Sequence, residues 1–268
     1  MNYHRIFAVF MRQVFLMCNN KVRFFSAFVW MFFDIILWGF ISRYLGSVGE
    51  TASFATIILG AIIFWGFTTR IIQGIMTAFL EDGWSRNYIN FFASPLKVSE
   101  YLCGMVLSST ILGLIGLSIM VLIAGLGFGY NIFKIGIMVF PFLALLYIFG
   151  IALGIFVSGV IFRFGPAAEW VAWPIPFVIS IFSGVFYPIS ALPTVMQYIA
   201  KLIPASYVFE NMRLILSGKG FGMTSLTDML ISLGLSLAYI LVNYFFFAHV
   251  YRHNLRTGSI ANYNAEDF

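Results

Sequence analysis

Long apolar runs separated by short polar punctuation dominate the chain. Phe24 to about Ile41 is interrupted only by Asp34, and about Phe54 to Phe79 only by Arg70. Residues 101–128 and 135–162 hold no charged side chain, and neither does the final run, Met229 to Val250. Each reaches the roughly 17–25 residues that a helix needs to cross a hydrocarbon core. A sixth run, Trp170 to Tyr187, is short and carries Pro174 and Pro176, which remove backbone donors and predict a kink or an entry at the interface. The pattern predicts an all-α polytopic membrane protein with six transmembrane helices.

The first 23 residues follow another rule. On a helix at about 100° per residue, Tyr3, Ile6, Phe7, Phe10, Val14 and Met17 form one stripe, with Arg5, Arg12, Asn19 and Arg23 opposite. This predicts an N-terminal amphipathic interfacial helix, residues 1–23, ahead of one membrane domain, residues 24–268. A helix packed on the rest of the protein, with its basic face solvated, fits the same stripe. Arg5, Arg12, Lys21 and Arg23 make the segment too charged for the head of a cleavable signal peptide.

Six spans place both termini on one side. With that side cytoplasmic, the inner segments hold Arg5, Arg12, Lys21, Arg23, Arg86, Lys97, Arg163, Arg252 and Arg256, and the outer ones Arg43, Lys134, Lys201, Arg213 and Lys219. The excess lies inside, so an N-in, C-in topology is expected. Residues 188–228 are too polar to cross and too apolar for a solvated loop. They predict two short helices, about Pro193 to Ile203 and Pro204 to Leu216, either dipping into the outer leaflet as re-entrant helices or forming an external cap.

Composition narrows the function by exclusion. Of 268 residues, 61% are hydrophobic and 9% charged, against roughly a quarter charged in a soluble domain. The net charge of +5 is dispersed, which fits orientation in a membrane and no nucleic-acid partner. Cys18 and Cys103 lack any CxxC spacing, and the ten acidic residues do not cluster, so no metal site is expected. No GxxxxGK[ST] is present, so the chain has no P-loop, and no histidine sits deep in a span to serve an intramembrane protease. No catalytic residue and no cofactor of its own are expected.

Two segments carry a family resemblance. Glu81 to Gly104 reads EDGWSRNYINFFASPLKVSEYLCG, with an early glycine, a mixed helical run, then Ser94, Pro95, Leu96 and Glu100 before a glycine. It resembles the first cytoplasmic loop of type-2 ABC exporter permeases. Phe186 to Leu216, FYPISALPTVMQYIAKLIPASYVFENMRLIL, is similar to the family's aromatic-Pro segment, its later proline before an external helix and the arginine that follows. The resemblance implies a permease of the bacterial inner membrane that dimerises with itself or a related chain and exports a glycan, lipid-like or drug-like substrate. It also implies a separate ABC-type ATPase subunit that binds ATP and Mg. The loop at 80–100 would supply a coupling helix at about Asp82 to Ala93, with Asp82, Trp84, Arg86, Tyr88, Ile89, Phe92 and Pro95 meeting the ATPase; Pro188, Pro193, Pro204, Glu210 and Arg213 would mark the exit gate. A secondary transporter and a non-transporting assembly factor are the other classes weighed.

The two charges inside spans complete the reading. Counted from the inner ends of their spans, Asp34 and Arg70 each lie ten residues deep, about 15 Å at 1.5 Å per residue. Each is costly alone in lipid, so the count predicts a salt bridge between the first two spans.

Overall fold

The computed structural model describes residues 1–47, 52–85, 87–218 and 220–257. Every regular element among them is helical. Helix α1 (Tyr3–Asn19) starts after Asn2, whose side chain accepts the His4 N–H at 3.1 Å, an N-cap. Then follow α2 (Lys21–Ser47), α3 (Ala52–Trp84), the short α4 (Tyr88–Ala93) and α5 (Val98–Phe128). Helix α5 ends where Gly129 turns left-handed (φ 67°) and the N–H groups of Gly129 and Tyr130 fold back on Gly125 and Ala124, both at 3.0 Å. After a 3-10 segment come α6 (Val139–Phe164), α7 (Glu169–Ala172), α8 (Ile175–Phe182), α9 (Thr194–Lys201), α10 (Pro204–Leu216) and α11 (Met223–Thr257).

Among the described residues, five helical stretches are long and apolar enough to cross a membrane: Phe24–Ser47, Thr56–Trp84, Val98–Phe128, Ile132–Phe164 and Met223–Thr257. They match the apolar runs read from the sequence and extend most of them by a turn or so at one or both ends, the second starting two residues later than read. The expected fifth span at Trp170 to Tyr187 is different. It is two short helices, α7 and α8, broken across Trp173 and Pro174, because a prolyl nitrogen offers no hydrogen to the preceding turn.

Helices α3 and α6 form the centre, with 78% and 72% of their most apolar stretches buried, against 22–28% for α2, α5 and α11. The outer helices therefore keep broad apolar faces for lipid or for other chains. Small residues bring the helices together: a Cβ added to Gly74 on α3 would stand 2.7 Å from Ser109 Oγ on α5, and the Ser109 hydroxyl donates to Ile71 O at 2.8 Å.

Cross-helix contacts fix the directions. Arg70 Nη1 donates to Ala27 O at 2.9 Å and Met31 lies beside Gly66, so α2 and α3 are antiparallel. Asn243 and Asn254 on α11 donate to Ala152 O (2.9 Å) and Phe162 O (2.7 Å) on α6, so α6 and α11 run in the same direction.

Helix α1 lies against α5 and the last turns of α3. Its packed face is Ile6, Val9 and Gln13, while Tyr3 and Phe7 of the expected stripe are exposed. Val9 sits where a side chain on Gly104 would be, 2.6 Å from an added Cβ, and Gln13 donates to Ala78 O at 3.3 Å. The expected basic face is not simply solvated. Arg5 and Arg12 turn back onto acidic groups of α5 and α3.

Candidate functional site

The loop singled out by sequence sits at the corner where α3 ends and α5 begins. Asp82 has no exposed surface; it pairs with Arg12 of α1 and accepts the Tyr101 hydroxyl of α5 at 2.6 Å. Arg12 also lies over the Phe91 ring at 5.0 Å, a cation–π contact. One carboxylate thereby ties α1, α3 and α5 together.

Two residues later the helix stops. Asn87 N–H returns to Asp82 O at 2.8 Å, and α4 follows as under two turns. The single coupling helix expected from Asp82 to Ala93 is therefore two pieces: residues 82–84 finish α3, and only Tyr88–Ala93 stand apart. Tyr88 is also buried rather than outward, its hydroxyl donating to Phe79 O at 2.7 Å and its ring 4.9 Å from Phe79 and 5.6 Å from Phe162. The reason is local supply: Phe79, Phe162 and Phe247 form an aromatic wall at this corner that a phenol ring completes. Trp84, 52% exposed, and the exposed Ser94 and Pro95 remain on the surface. Arg86 and the side chains of Ile89 and Phe92 lie outside the described residues.

The far side of the corner is fixed by Glu100. Its two oxygens accept the N–H groups of Asn2 (2.7 Å) and Lys97 (3.0 Å), the latter being the back-reaching half of a capping box, and Arg5 stands 3.5 Å away while donating to Pro95 O. The loop thus has a rigid frame and a small exposed face.

At the other end of the bundle, Glu210 and Arg213 meet the segment that runs up to Ile189, next to Pro188, while Pro193 precedes α9 and Pro204 opens α10. Glu210 Oε1 accepts the Ile189 N–H at 2.8 Å and Arg213 Nη1 at 3.0 Å; Arg213 Nη2 donates to Gly184 O and, at 3.3 Å, to Val185 O. Gly184 (φ 70°) turns the chain after α8. This pair staples the segment after α8 onto α10, and desolvation lowers the Arg213 pKa against the opposing pull of Glu210. The two predicted helices appear as α9 and α10, and α10 buries Pro204, Val208, Phe209 and Met212 within the chain.

The predicted Asp34–Arg70 ion pair does not form. In the antiparallel register Ala27 stands opposite Arg70 and Met31 opposite Gly66, so Asp34 lies seven residues, about 10 Å, past the level of Arg70. Arg70 is buried, bonded to Ala27 O and 5.9 Å from the Phe28 ring centroid, whereas Asp34 is exposed. Both line one cavity of about 280 Å³ between α2, α3 and α7–α8.

A search of curated proteins finds no match. The sequence model of the ABC-2 type transporter matches residues 4–217, from the start of α1 to the end of α10. The chain belongs to the ABC-2 type transporter family. It is a multi-pass membrane protein and the permease component of an ABC transporter, a family that works in association with an ABC ATPase subunit. The match takes in the α3–α5 corner and the Glu210–Arg213 staple together, along with the α1 helix that braces the corner.

Sequence reasoning missed Arg12, Tyr101 and Glu100 as the frame of the loop. A signal existed for Glu100, three residues after Lys97 at a helix start. Nothing local marks Arg12 as the partner of a residue seventy positions away.

Proposed function

We propose that this permease exports a glycan, lipid-like or drug-like substrate from the cytoplasm, as one copy of a dimer in a bacterial inner membrane, with ATP hydrolysed on the partner subunits. The α3–α5 corner faces the cytoplasm and receives the ATPase through Trp84, Ser94 and Pro95. The observation that carries this reading is the exposed Trp84, Ser94 and Pro95 mounted on the Arg12–Asp82–Tyr101 frame, whose carboxylate and phenol are buried. A load applied at the surface then reaches three helices at once.

The parallel pairing of α6 and α11 supports six crossings. Both helices end beside each other, so residues 165–222 must return the chain to the opposite face. The broken α7–α8 segment makes that return. The start of α1 and the end of α11 then lie with the α3–α5 corner, where Arg163, Arg252 and Arg256 also gather, in agreement with cytoplasmic orientation. The stapled α9–α10 region lies at the exit.

The test is co-purification and transport. Tagged chain drawn from its own membrane in mild detergent should retain an ABC ATPase in equal copy number, and vesicles holding the complex should transport only with ATP and Mg. Trp84→Ala should release the ATPase. Uphill transport by the chain alone on a proton or sodium gradient overturns the reading in favour of a secondary transporter.

A further inference from the structure

A cavity of about 460 Å³ opens at the end of the bundle opposite the α3–α5 corner, between the last turns of α2, the first turns of α3 and the chain that leaves α5. Two rings shape it. Phe128 occupies the space that a side chain on Gly39 of α2 would need, and stands edge-on to Phe40 at 5.5 Å. Beyond the left-handed Gly129, Tyr130 reaches α3, its hydroxyl 2.6 Å from where a Cβ on Gly60 would be. The turn is thus pinned to α2 by one ring and to α3 by the other, which fixes where the 3-10 segment Ile132–Met138 begins. Asn131 caps that segment, accepting the Phe133 N–H at 2.9 Å.

The wall of this cavity carries positive charge with no counter-charge. Arg43 of α2 and Lys134 of the 3-10 segment line it, both are exposed, and no acidic residue lines it among the described residues. Neither cation forms an ion pair among the described residues, whereas Arg5, Arg12 and Arg213 each meet a carboxylate. Asp34, the only acid on α2, is nine residues from Arg43, about 14 Å along the axis. The hydroxyls of Ser42 and Tyr130 lie just behind the wall, buried and without a hydrogen-bond partner among the described residues. They do not touch the contents of the cavity, yet no group of the chain keeps their dipoles from turning toward a negative charge there.

Depth narrows the ligand. Arg43 is nineteen residues from Phe24, about 28 Å along α2, so it stands at the far edge of a hydrocarbon core roughly 30 Å thick. We propose that Arg43 and Lys134 bind a phosphate group in this cavity, presented by inorganic phosphate or by a lipid headgroup of that leaflet. A guanidinium offers a planar fork of donors and an ammonium a point charge. A tetrahedral phosphate has oxygens pointing in enough directions to meet both at once, whereas the two oxygens of a carboxylate share one plane and are filled by the arginine fork. The cavity has the room, since added Cβ atoms on Gly46, Gly127 and Gly129 in its wall meet no atom within 4 Å. A lone interfacial cation snorkels to whatever phosphate passes; two cations from separate elements, fixed around one cavity, select a position. The site is independent of the transport reading.

The purified chain in dodecyl maltoside is tested by native mass spectrometry with dioleoyl phosphatidic acid and its phosphate-free counterpart dioleoylglycerol, and by calorimetry with inorganic phosphate against chloride. A phosphate form should bind, and Arg43→Gln or Lys134→Gln should each weaken one bound copy about tenfold, the double variant removing it. Both side chains are exposed, so the variants should elute as wild type in size exclusion. Lys201→Gln, an exposed cation of α9 held over the Tyr198 ring at 5.4 Å, should bind as wild type. Calorimetric binding of inorganic phosphate that the double variant loses identifies the free anion as the ligand; loss of phosphatidic acid alone identifies the headgroup. Equal binding by wild type and the double variant, equal binding of dioleoylglycerol, or no binding of either phosphate form overturns the proposal. Binding that appears only when Glu50, seven residues after Arg43, is changed to Gln overturns it too, since a carboxylate of the chain would then hold the cations.

Discussion

Breaking the Arg12–Asp82 pair should loosen the loop frame, and the size of the effect can be worked from burial. Asp82 has no exposed surface, while the Arg12 side chain is 26% exposed. Removing one member of a fully buried pair costs about 3–5 kcal/mol because the survivor keeps a desolvated charge. Water reaches Arg12, and Tyr101 still donates to Asp82 at 2.6 Å, so Arg12→Met should cost on the order of 2 kcal/mol. Asp82→Asn retains an acceptor for Tyr101 and strands only the more accessible partner, for a loss of about 1 kcal/mol. The double variant should then cost about 1–2 kcal/mol less than the two losses added, since the pair can be lost only once. Unfolding of the purified protein in mixed micelles by increasing SDS, across wild type, both single variants and the double, measures that difference. Strict additivity, within about 0.5 kcal/mol, would show that the contact contributes nothing to the frame. The same variants should keep ATPase association but lower the transport obtained per ATP, since Trp84 stays in place while its mount loosens.

Three further outcomes follow from the same geometry. Trp84→Ala should fold normally and lose ATPase in a pull-down, whereas Tyr88→Ala should lose about 3 kcal/mol or more of stability in the micelle assay, because that ring is buried against Phe79 and Phe162. Exchanging Asp34 and Arg70 should not restore the folded yield lost by Arg70→Gln, measured by fluorescence-detected size exclusion, since the two groups stand about 10 Å apart in level; full recovery would mean they pair after all. Asn243→Leu should cost about 0.6–1.7 kcal/mol by removing the bond to Ala152 O, and Asn254→Leu a similar amount at Phe162 O, by the same SDS titration.

The hydropathy of the chain alone determined that it is a membrane protein, where its long helices lie and where the corner loop and paired helices before the last span fall. Helix length in lipid depends on local composition, because every backbone group must be bonded within the segment itself. The break at Pro174 was legible for the same reason: a missing N–H is a property of the residue. The resemblance in Glu81 to Gly104 and Phe186 to Leu216 pointed to the family that residues 4–217 match.

Which residues meet was decided elsewhere. Counting depth along separate helices paired Asp34 with Arg70, but register is set where side chains interlock, and Met31 seated against Gly66 and Gly116 places Ala27 there instead. Helical spacing put Tyr88 beside Trp84 as a surface anchor; α3 ends at Trp84 and α4 begins anew at Tyr88, and the aromatic wall of Phe79, Phe162 and Phe247 takes Tyr88 inward. The polar side of α1 looked solvated because periodicity separates polar from apolar faces without saying what lies opposite. Only the packing of α1 across the ends of α3 and α5 brings Arg12 to Asp82 and Arg5 to Glu100, since a buried carboxylate draws in whatever cation the fold carries within reach.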